Sequence, residues 1–167
     1  MKIGIESMGF YTPPFFLDLE TLAERRGVNP TKYFDGLGQY RMAIPSPDED
    51  TVTMAATASE YALRGVDVEK LDTLMLATET GVDQSKAAAI YVHGLLGLPS
   101  HCKAFEIKQA CCGSTAGLQM AHAFVAQNPE RKIMVVASDV SRYDLSSPGE
   151  PTQGAGAIAM VISNRPK

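Results

Sequence analysis

Apolar runs of strand length alternate along this chain with amphipathic or alanine-rich segments of helix length. Two of the runs, IMVVA at 133–137 and AIAMVI at 157–162, are continuously apolar rather than alternating. Continuous runs are typical of strands that helices cover on both faces. The pattern therefore predicts an α/β layered fold with a mostly parallel mixed sheet flanked by helices.

The chain length of 167 residues is enough for one packed domain, which we place over residues 1–167. Strands are predicted at 2–11, 71–78, 102–108, 132–138 and 156–163. Helices are predicted at 18–28, 48–65, 85–97 and 114–127. A long Gly- and Pro-rich loop over 138–156 is of the kind that carries functional residues.

The charge and the cysteine content narrow the classes of function. The net charge of −4 and the pI near 5.3 supply no cationic face for nucleic acid or anionic lipid. No run approaches the ~20 apolar residues of a membrane span, and the N-terminus does not resemble a signal peptide. We expect no nucleic-acid partner, no membrane contact and a cytoplasmic location. Three cysteines, an odd number, argue against a disulfide framework.

Two adjacent cysteines, Cys111 and Cys112, stand in EIKQACCGST at 106–115, between a predicted strand and a predicted helix. No Cys-x-x-Cys or His-x-x-x-His spacing accompanies them, so we expect no metal site. The same lack of spacing disfavours a thioredoxin-like redox pair. A packing role as small buried hydrophobes remains open for both.

Cys111 is the better candidate for a nucleophile. If the helix starts beside it, unpaired backbone N–H groups and the helix dipole favour its thiolate. The same N–H groups can stabilise an oxyanion, and the small residues that follow leave room for a substrate. We expect Cys112 to point away, into packing.

A nucleophile also needs a group that moves protons. His122 lies about three helical turns from Cys111 and cannot reach it within one helix. His93 and His101 fit structural or exposed roles better. Glu79 follows an apolar strand, and carboxyl ends of parallel strands share one edge of a sheet. Packed against apolar walls there, it can act as a general base or acid, although a loop glutamate or a helix cap fits equally well.

Several motifs together resemble the 3-hydroxy-3-methylglutaryl-CoA synthase family. They are ATETGVDQSKAAA, FEIKQACCGSTAGLQMA and GEPTQGAGAIAM, supported by GIESMGFYTPP and GLGQYRMAIPSPDEDTVTMAA. The resemblance extends over essentially the whole chain and implies one half of a thiolase-like fold. Family members are roughly twice as long, so it identifies residues 1–167 as the N-terminal half.

The resemblance implies a Claisen-type condensation of an acetyl thioester with an acetoacetyl thioester. Cys111 matches the family's nucleophile, which forms an acetyl-S-enzyme, and Glu79 matches its acid/base carboxylate. Tyr143 and Thr152 match positions that line the acyl pocket. Acetyl-CoA and acetoacetyl-CoA, or acyl carrier thioesters, are implied as substrates, with no cofactor. A complementary C-terminal half, bearing a catalytic histidine, or a homodimer partner is implied as well.

Three positions depart from the family pattern. Gln109 resembles relatives that install β-branches on polyketides using acyl carrier proteins, whereas SSPGEPTQGAGA resembles bacterial mevalonate enzymes. Cys112 stands where tyrosine is common, and Asn29 where aspartate is frequent. Besides the mevalonate-type synthase, the alternatives are therefore a polyketide β-branching synthase, a non-catalytic acyl-binding or assembly subunit, and a thiol-based redox sensor.

Overall fold

The computed structural model describes all 167 residues and contains seven strands and five α-helices. The strands are β1 (Gly4–Tyr11), β2 (Phe15–Asp18), β3 (Arg41–Ile44), β4 (Leu71–Ala77), β5 (Lys103–Ile107), β6 (Lys132–Ser141) and β7 (Gly154–Ser163). The helices are α1 (Leu19–Arg26), α2 (Thr31–Leu37), α3 (Thr51–Ala62), α4 (Ala88–Leu95) and α5 (Gly113–Gln127). Short 3₁₀ turns occupy Val68–Lys70, Ala110–Cys112 and Glu150–Thr152.

Five strands form the main sheet in the order β1-β7-β6-β4-β5. Strand β4 pairs in parallel with β5 and with β6, whereas β7 is antiparallel to both β6 and β1. The predicted mixed sheet of an α/β fold is confirmed, and its parallel part contains the strands β4 and β5, each of which leads into a helix.

Helices cover both faces of this sheet, and the buried strands supply side chains to each face in alternation. Leu74 and Leu76 of β4 pack with α3 and α4, while Met75 packs with α5 on the opposite face. Strand β6 alternates in the same way. This explains the continuously apolar runs in the sequence, because every position of a doubly covered strand is buried.

Part of the α5 face remains open at the β1 edge. Met8 and Phe10 are 57% and 63% exposed there, opposite Met160 and Ile158 of β7. On the other face, Gly9 lets α3 approach the strand so closely that a Cβ would lie 2.1 Å from Ala58 O. The α3 side of β1 is thus tightly packed, and its α5 side is an uncovered apolar surface.

Residues 15–44 form a separate small lobe that the sequence did not predict, apart from α1. The two-stranded sheet of β2 and β3 packs with α1 and α2 around its own core, which consists of Leu19, Leu22, Ala23, Tyr33 and Met42. Gly27 ends α1 in the left-handed conformation, as its predicted capping role requires. We refer to residues 15–44 as the small lobe.

The predicted helix at 48–65 corresponds to α3, but the acidic residues precede it instead of lying in its first turn. Asp50 is the N-cap: it accepts a 2.8 Å hydrogen bond from Thr53 N, while Thr53 Oγ1 accepts one from Asp50 N. This reciprocal capping box satisfies amide groups that the helix itself leaves unpaired. No helix of the structure combines the length and the apolar character needed to cross a bilayer.

Candidate active site

The parallel strands β4, β5 and β6 end side by side at one edge of the sheet. Ala77 of β4 lies in register with Ile107 of β5 and with Ala137 of β6. Glu79 follows β4 and Cys111 follows β5, each after a short connection. Because the strands run in the same direction, both side chains lie at the same edge of the sheet, which is where open α/β sheets bind ligands.

Cys111 and Glu79 face each other across this edge. The Cys111 thiol donates toward Glu79 Oε1 with an Sγ to oxygen distance of 3.9 Å, and both residues are exposed. Cys111 occupies the 3₁₀ turn immediately before α5, as expected for a residue at a helix start. The thiol and the carboxylate that were predicted to share one edge of the sheet thus lie 3.9 Å apart.

Two glycines in α5 allow this approach. A Cβ on Gly113 would lie 3.1 Å from the Cβ of Ala77, and one on Gly117 would lie 3.0 Å from Cγ1 of Val135. These distances are tighter than side chains normally tolerate. The first turns of α5 can therefore lie directly on β4 and β6, which brings the residue before the helix next to the end of β4.

The backbone just before Cys111 is unusual. Ala110 has a φ of 43°, in the left-handed region that residues with a side chain rarely adopt. Such conformations cost about 1–3 kcal/mol and concentrate at functional sites. The turn directs Cys111 outward, toward Glu79.

Asp139, at the end of β6, holds the Glu79 loop. Its Oδ1 accepts hydrogen bonds from Glu79 N at 2.8 Å and from Thr80 N at 3.1 Å. The hydroxyls of Thr78 and Thr80 also donate to this oxygen, each at 2.9 Å. One carboxylate oxygen therefore binds four donors from three successive residues and fixes the position of the loop.

The sequence did not single out Asp139, although a signal was present. SD at 138–139 follows the apolar run of β6 just as TE at 78–79 follows that of β4. A polar residue at the carboxyl end of a buried parallel strand is a reason to look for a site. The hydrogen bonds could not be anticipated because they depend on β6 lying beside β4.

Two expectations about side-chain environment were wrong. Cys112 is exposed and does not pack into the core, because the 3₁₀ turn precedes α5 at a point that no other element covers. Glu79 is also exposed, so apolar walls do not surround its carboxylate in this structure. Cys102 is the buried cysteine, and burial raises the pKa of its thiol to about 11.

Tyr143 and Thr152 lie in the loop that joins β6 to β7. Tyr143 N donates to Gln153 Oε1 at 2.8 Å, and Thr152 Oγ1 donates to Gly149 O at 2.7 Å. The Tyr143 ring packs over Gly149, where a Cβ would lie 3.0 Å from Cγ of the ring. The two side chains thus share the loop, but no hydrogen bond joins either of them to Cys111 or Glu79.

The three histidines have no part in this cluster. His93 Nε2 lies 3.2 Å from Pro99 O, and His101 Nε2 lies 3.1 Å from Glu69 O. His122 is exposed on α5. These placements agree with the structural or exposed roles expected from the sequence. The structure contains no group of three or more His, Cys, Asp or Glu side chains arranged to hold a metal ion.

The family model described as hydroxymethylglutaryl-coenzyme A synthase N terminal matches residues 1–166 of this chain. The chain belongs to the hydroxymethylglutaryl-CoA synthase family. Its resemblance to that family in sequence is therefore confirmed, and so is the thiolase-like fold, by the structural similarities below.

Curated relatives include synthases of two kinds. The chain is 47% identical over 167 residues to hydroxymethylglutaryl-CoA synthase of Enterococcus faecalis, matching 100% of the chain and 44% of the relative. It is 35% identical over 182 residues to the polyketide biosynthesis 3-hydroxy-3-methylglutaryl-ACP synthase PksG of Bacillus subtilis, matching 100% and 43%. The chain spans less than half the length of these relatives.

Solved structures of synthases of both kinds have the same fold as this chain. An HMG-CoA synthase complexed with CoA superimposes with a TM-score of 0.95 and 43% identity, covering 99% of this chain and 43% of that one. The curacin biosynthetic pathway HMG synthase, in complex with acetyl donor-ACP, gives a TM-score of 0.91 and 34% identity, covering 99% and 42%. Both kinds of family member therefore share this backbone.

Proposed function

We propose that this chain supplies the nucleophile and the acid/base carboxylate for synthesis of a 3-hydroxy-3-methylglutaryl thioester. The observation that carries the proposal is the 3.9 Å approach of the Cys111 thiol to Glu79 Oε1, beside a helix start. A thiol, a carboxylate and free backbone N–H groups are the parts that covalent acyl transfer requires. The chemistry needs no metal or prosthetic group beyond its thioester substrates.

The first half of the proposed reaction loads the enzyme. The Cys111 thiolate attacks the carbonyl carbon of an acetyl thioester, and the carrier thiol leaves with the sulfur-bound electron pair and takes up a proton. The product is an acetyl-S-Cys111 thioester. Backbone N–H groups near the start of α5 can stabilise the oxyanion of the tetrahedral intermediate.

The second half forms the carbon–carbon bond. The Glu79 carboxylate removes a proton from the acetyl methyl group, and the resulting carbanion attacks the C3 ketone of an acetoacetyl thioester. The new alkoxide takes a proton back from the Glu79 carboxylic acid. Water then cleaves the thioester bond between the product and Cys111, which frees the thiol, leaves a carboxylate on the product and releases one proton to solvent.

Two carriers of the acyl substrates are candidates, coenzyme A and an acyl carrier protein. Acetyl-CoA and acetoacetyl-CoA are supported by the 47% identity to the Enterococcus faecalis synthase. Substrates on an acyl carrier protein are supported by the 35% identity to PksG and by the similarity to the curacin synthase bound to its donor carrier. We favour coenzyme A because the higher identity lies on that side.

We further propose that the open apolar surface beside β1 is covered by the rest of the synthase, on the same polypeptide or on a separate one. Met8 and Phe10 are more than half exposed there, which is costly for large apolar side chains that lie side by side. The catalytic histidine that the family resemblance implies would come from that part. Homodimerisation of the assembled protein remains a prediction.

Labelled acetyl-CoA, followed by mass spectrometry of the peptide that contains residues 111 and 112, tests the nucleophile. We expect the native protein to carry the acetyl group on Cys111. Cys112→Ser is the matched control, because it removes another exposed thiol from the adjacent position, and it should keep the label. Cys111→Ser should lose it.

The other outcomes identify the alternatives. If neither thiol becomes acetylated by acetyl-CoA or by an acetylated acyl carrier protein, the synthase proposal is wrong and a non-catalytic acyl-binding subunit is favoured. Acetylation by the carrier protein alone would favour the β-branching enzyme. Reversible peroxide oxidation centred on Cys112, without acetylation of Cys111, would favour a redox sensor.

A further inference from the structure

One ion pair joins the small lobe to the rest of the protein. Arg26, in the last turn of α1, donates from Nε to Glu150 Oε2 at 2.8 Å and from Nη2 to Glu150 Oε1 at 2.6 Å. No other ion pair and no other hydrogen bond crosses between residues 15–44 and the remainder. Residues of both parts line a cleft of about 410 Å³ beside this ion pair, and half of these lining residues are apolar.

The acceptor of this pair lies inside the loop between β6 and β7. Glu150 is only 3% exposed, and its Oε2 also accepts a hydrogen bond from Ser146 N at 3.0 Å. A bidentate guanidinium–carboxylate pair fixes direction as well as distance. The loop is therefore held near its C-terminal end by a helix residue that is 124 residues away in sequence.

The side chains expected to line the acyl pocket depend on the residue next to Glu150. The ring of Tyr143 packs against the Cα of Gly149, and the carbonyl oxygen of Gly149 accepts a hydrogen bond from the Thr152 hydroxyl. Any shift of Glu150 moves Gly149, because the two are joined by one peptide unit. A displacement would therefore reach Tyr143 and Thr152 together.

We propose that Arg26 and Glu150 are positioning residues that hold the loop carrying Tyr143 and Thr152 in its substrate-binding arrangement. This inference rests on the proposed function, since it gives the loop a role in binding the thioester. Neither residue is assigned any contact with the reacting atoms. Their effect should appear in substrate binding and leave the chemical step at Cys111 nearly unchanged.

Substitutions of Arg26 and of Glu150 should displace the loop to different extents. Removing Arg26 takes the counter-ion from a carboxylate that is only 3% exposed, which favours movement of the loop toward water. Glu150→Gln keeps a neutral acceptor for Ser146 N and for Arg26, so the loop should move less. Arg26→Lys keeps the positive charge but loses the two-pronged geometry, and its effect should be intermediate.

Two measurements on the native protein test the proposal. The first is the rate of Cys111 acetylation as a function of acetyl-thioester concentration, which separates the half-saturating concentration from the maximal rate. The second is amide hydrogen exchange over 142–153. Arg41→Met is the matched control, because Arg41 pairs with Asp18 within the small lobe and both side chains are more than half exposed.

For Arg26→Met we expect the half-saturating concentration to rise about tenfold while the maximal rate changes less than about threefold, the signature of lost ground-state binding. Exchange over 142–153 should accelerate, with β4 unchanged. Arg41→Met should match the wild type in both measurements. Glu150→Gln and Arg26→Lys should lie between the two arginine variants.

Other results would overturn the inference. If Arg26→Met behaves as Arg41→Met does in exchange, the pair does not hold the loop. If exchange accelerates but the half-saturating concentration stays constant, the pair is structural only and the positioning role is wrong. A wild-type protein that is never acetylated overturns the proposed function instead, and the exchange measurement then decides separately whether the pair anchors the loop.

Discussion

Replacement of Asp139 tests whether its carboxylate holds Glu79 in place. Its Oδ1 accepts four hydrogen bonds, from Glu79 N, Thr80 N and the hydroxyls of Thr78 and Thr80, at 2.8–3.1 Å. Asp139→Ala removes this acceptor and leaves Glu79 N without a protein partner, whereas Thr80 N keeps Thr78 Oγ1 as an acceptor at 3.0 Å. Asp139→Asn retains one acceptor oxygen but loses the negative charge.

The magnitude follows from these contacts. A hydrogen bond to a charged group contributes about 1.5–3 kcal/mol to stability, and contributions to one shared atom do not add in full. Asp139 is half-buried, so water can replace part of what is lost. We expect Asp139→Ala to lower the free energy of unfolding by about 3 kcal/mol and Asp139→Asn by about 1 kcal/mol.

The catalytic effect should be larger than the stability effect suggests. A displacement of about 1 Å in a catalytic group can cost about 10²-fold in rate, so Asp139→Ala should reduce condensation by that order in protein that remains folded. Urea denaturation and product formation by the assembled synthase are the two measurements. Asp35→Ala removes an equal charge from an exposed position on α2, outside the site and its loop, and serves as the control. Equal denaturation midpoints and equal condensation rates for the two variants would refute the reasoning.

Three further predictions concern the acid/base group, the packing of β1 and the buried thiol. Glu79→Ala should leave acetylation of Cys111 largely intact while condensation falls by about 10²–10⁴, and unchanged condensation would remove Glu79 from the mechanism. Gly9→Ala should destabilise by more than about 4 kcal/mol in denaturant titrations, since its Cβ would lie 2.1 Å from Ala58 O. Gly36→Ala in α2, where a Cβ meets no atom within 4 Å, should instead stabilise by about 0.5–1 kcal/mol, and similar values for both variants would contradict this packing. Burial raises the pKa of the Cys102 thiol from 9.0 to about 11, so the stability it contributes is present below pH 9 and is lost as the pH rises toward 11. Cys102→Val should flatten the difference in unfolding free energy over that range, and parallel pH profiles for the two proteins would count against it.

The elements of the main sheet were predictable because their sequence patterns are strong and agree with the tertiary packing. Strands β4 and β6 are apolar on both faces because each face is buried under helices. The small lobe was missed for the opposite reason. Its strands β2 and β3 are four residues long and largely exposed, and α2 contains Gly36 and lacks a clear apolar stripe. Local pattern carries little information where few side chains are buried.

The candidate site, too, could be predicted from the sequence only in part. Cys111 and Glu79 were found because each follows a strand whose direction could be inferred, and parallel strands place such residues together. The exposure of Cys112 depends on the 3₁₀ turn that precedes α5, a backbone detail that residue type does not reveal. The pairing of Arg26 with Glu150 spans 124 residues, so it was visible only in the folded protein.

The two groups of residues around the site are supported by different kinds of structure. Cys111, Glu79 and Asp139 stand on paired neighbouring strands, whereas Tyr143 and Thr152 stand on a loop tied down at one point by Arg26. Substitutions in the loop can therefore change the surroundings of Tyr143 and Thr152 while the thiol and the carboxylate keep their places at the ends of the paired strands.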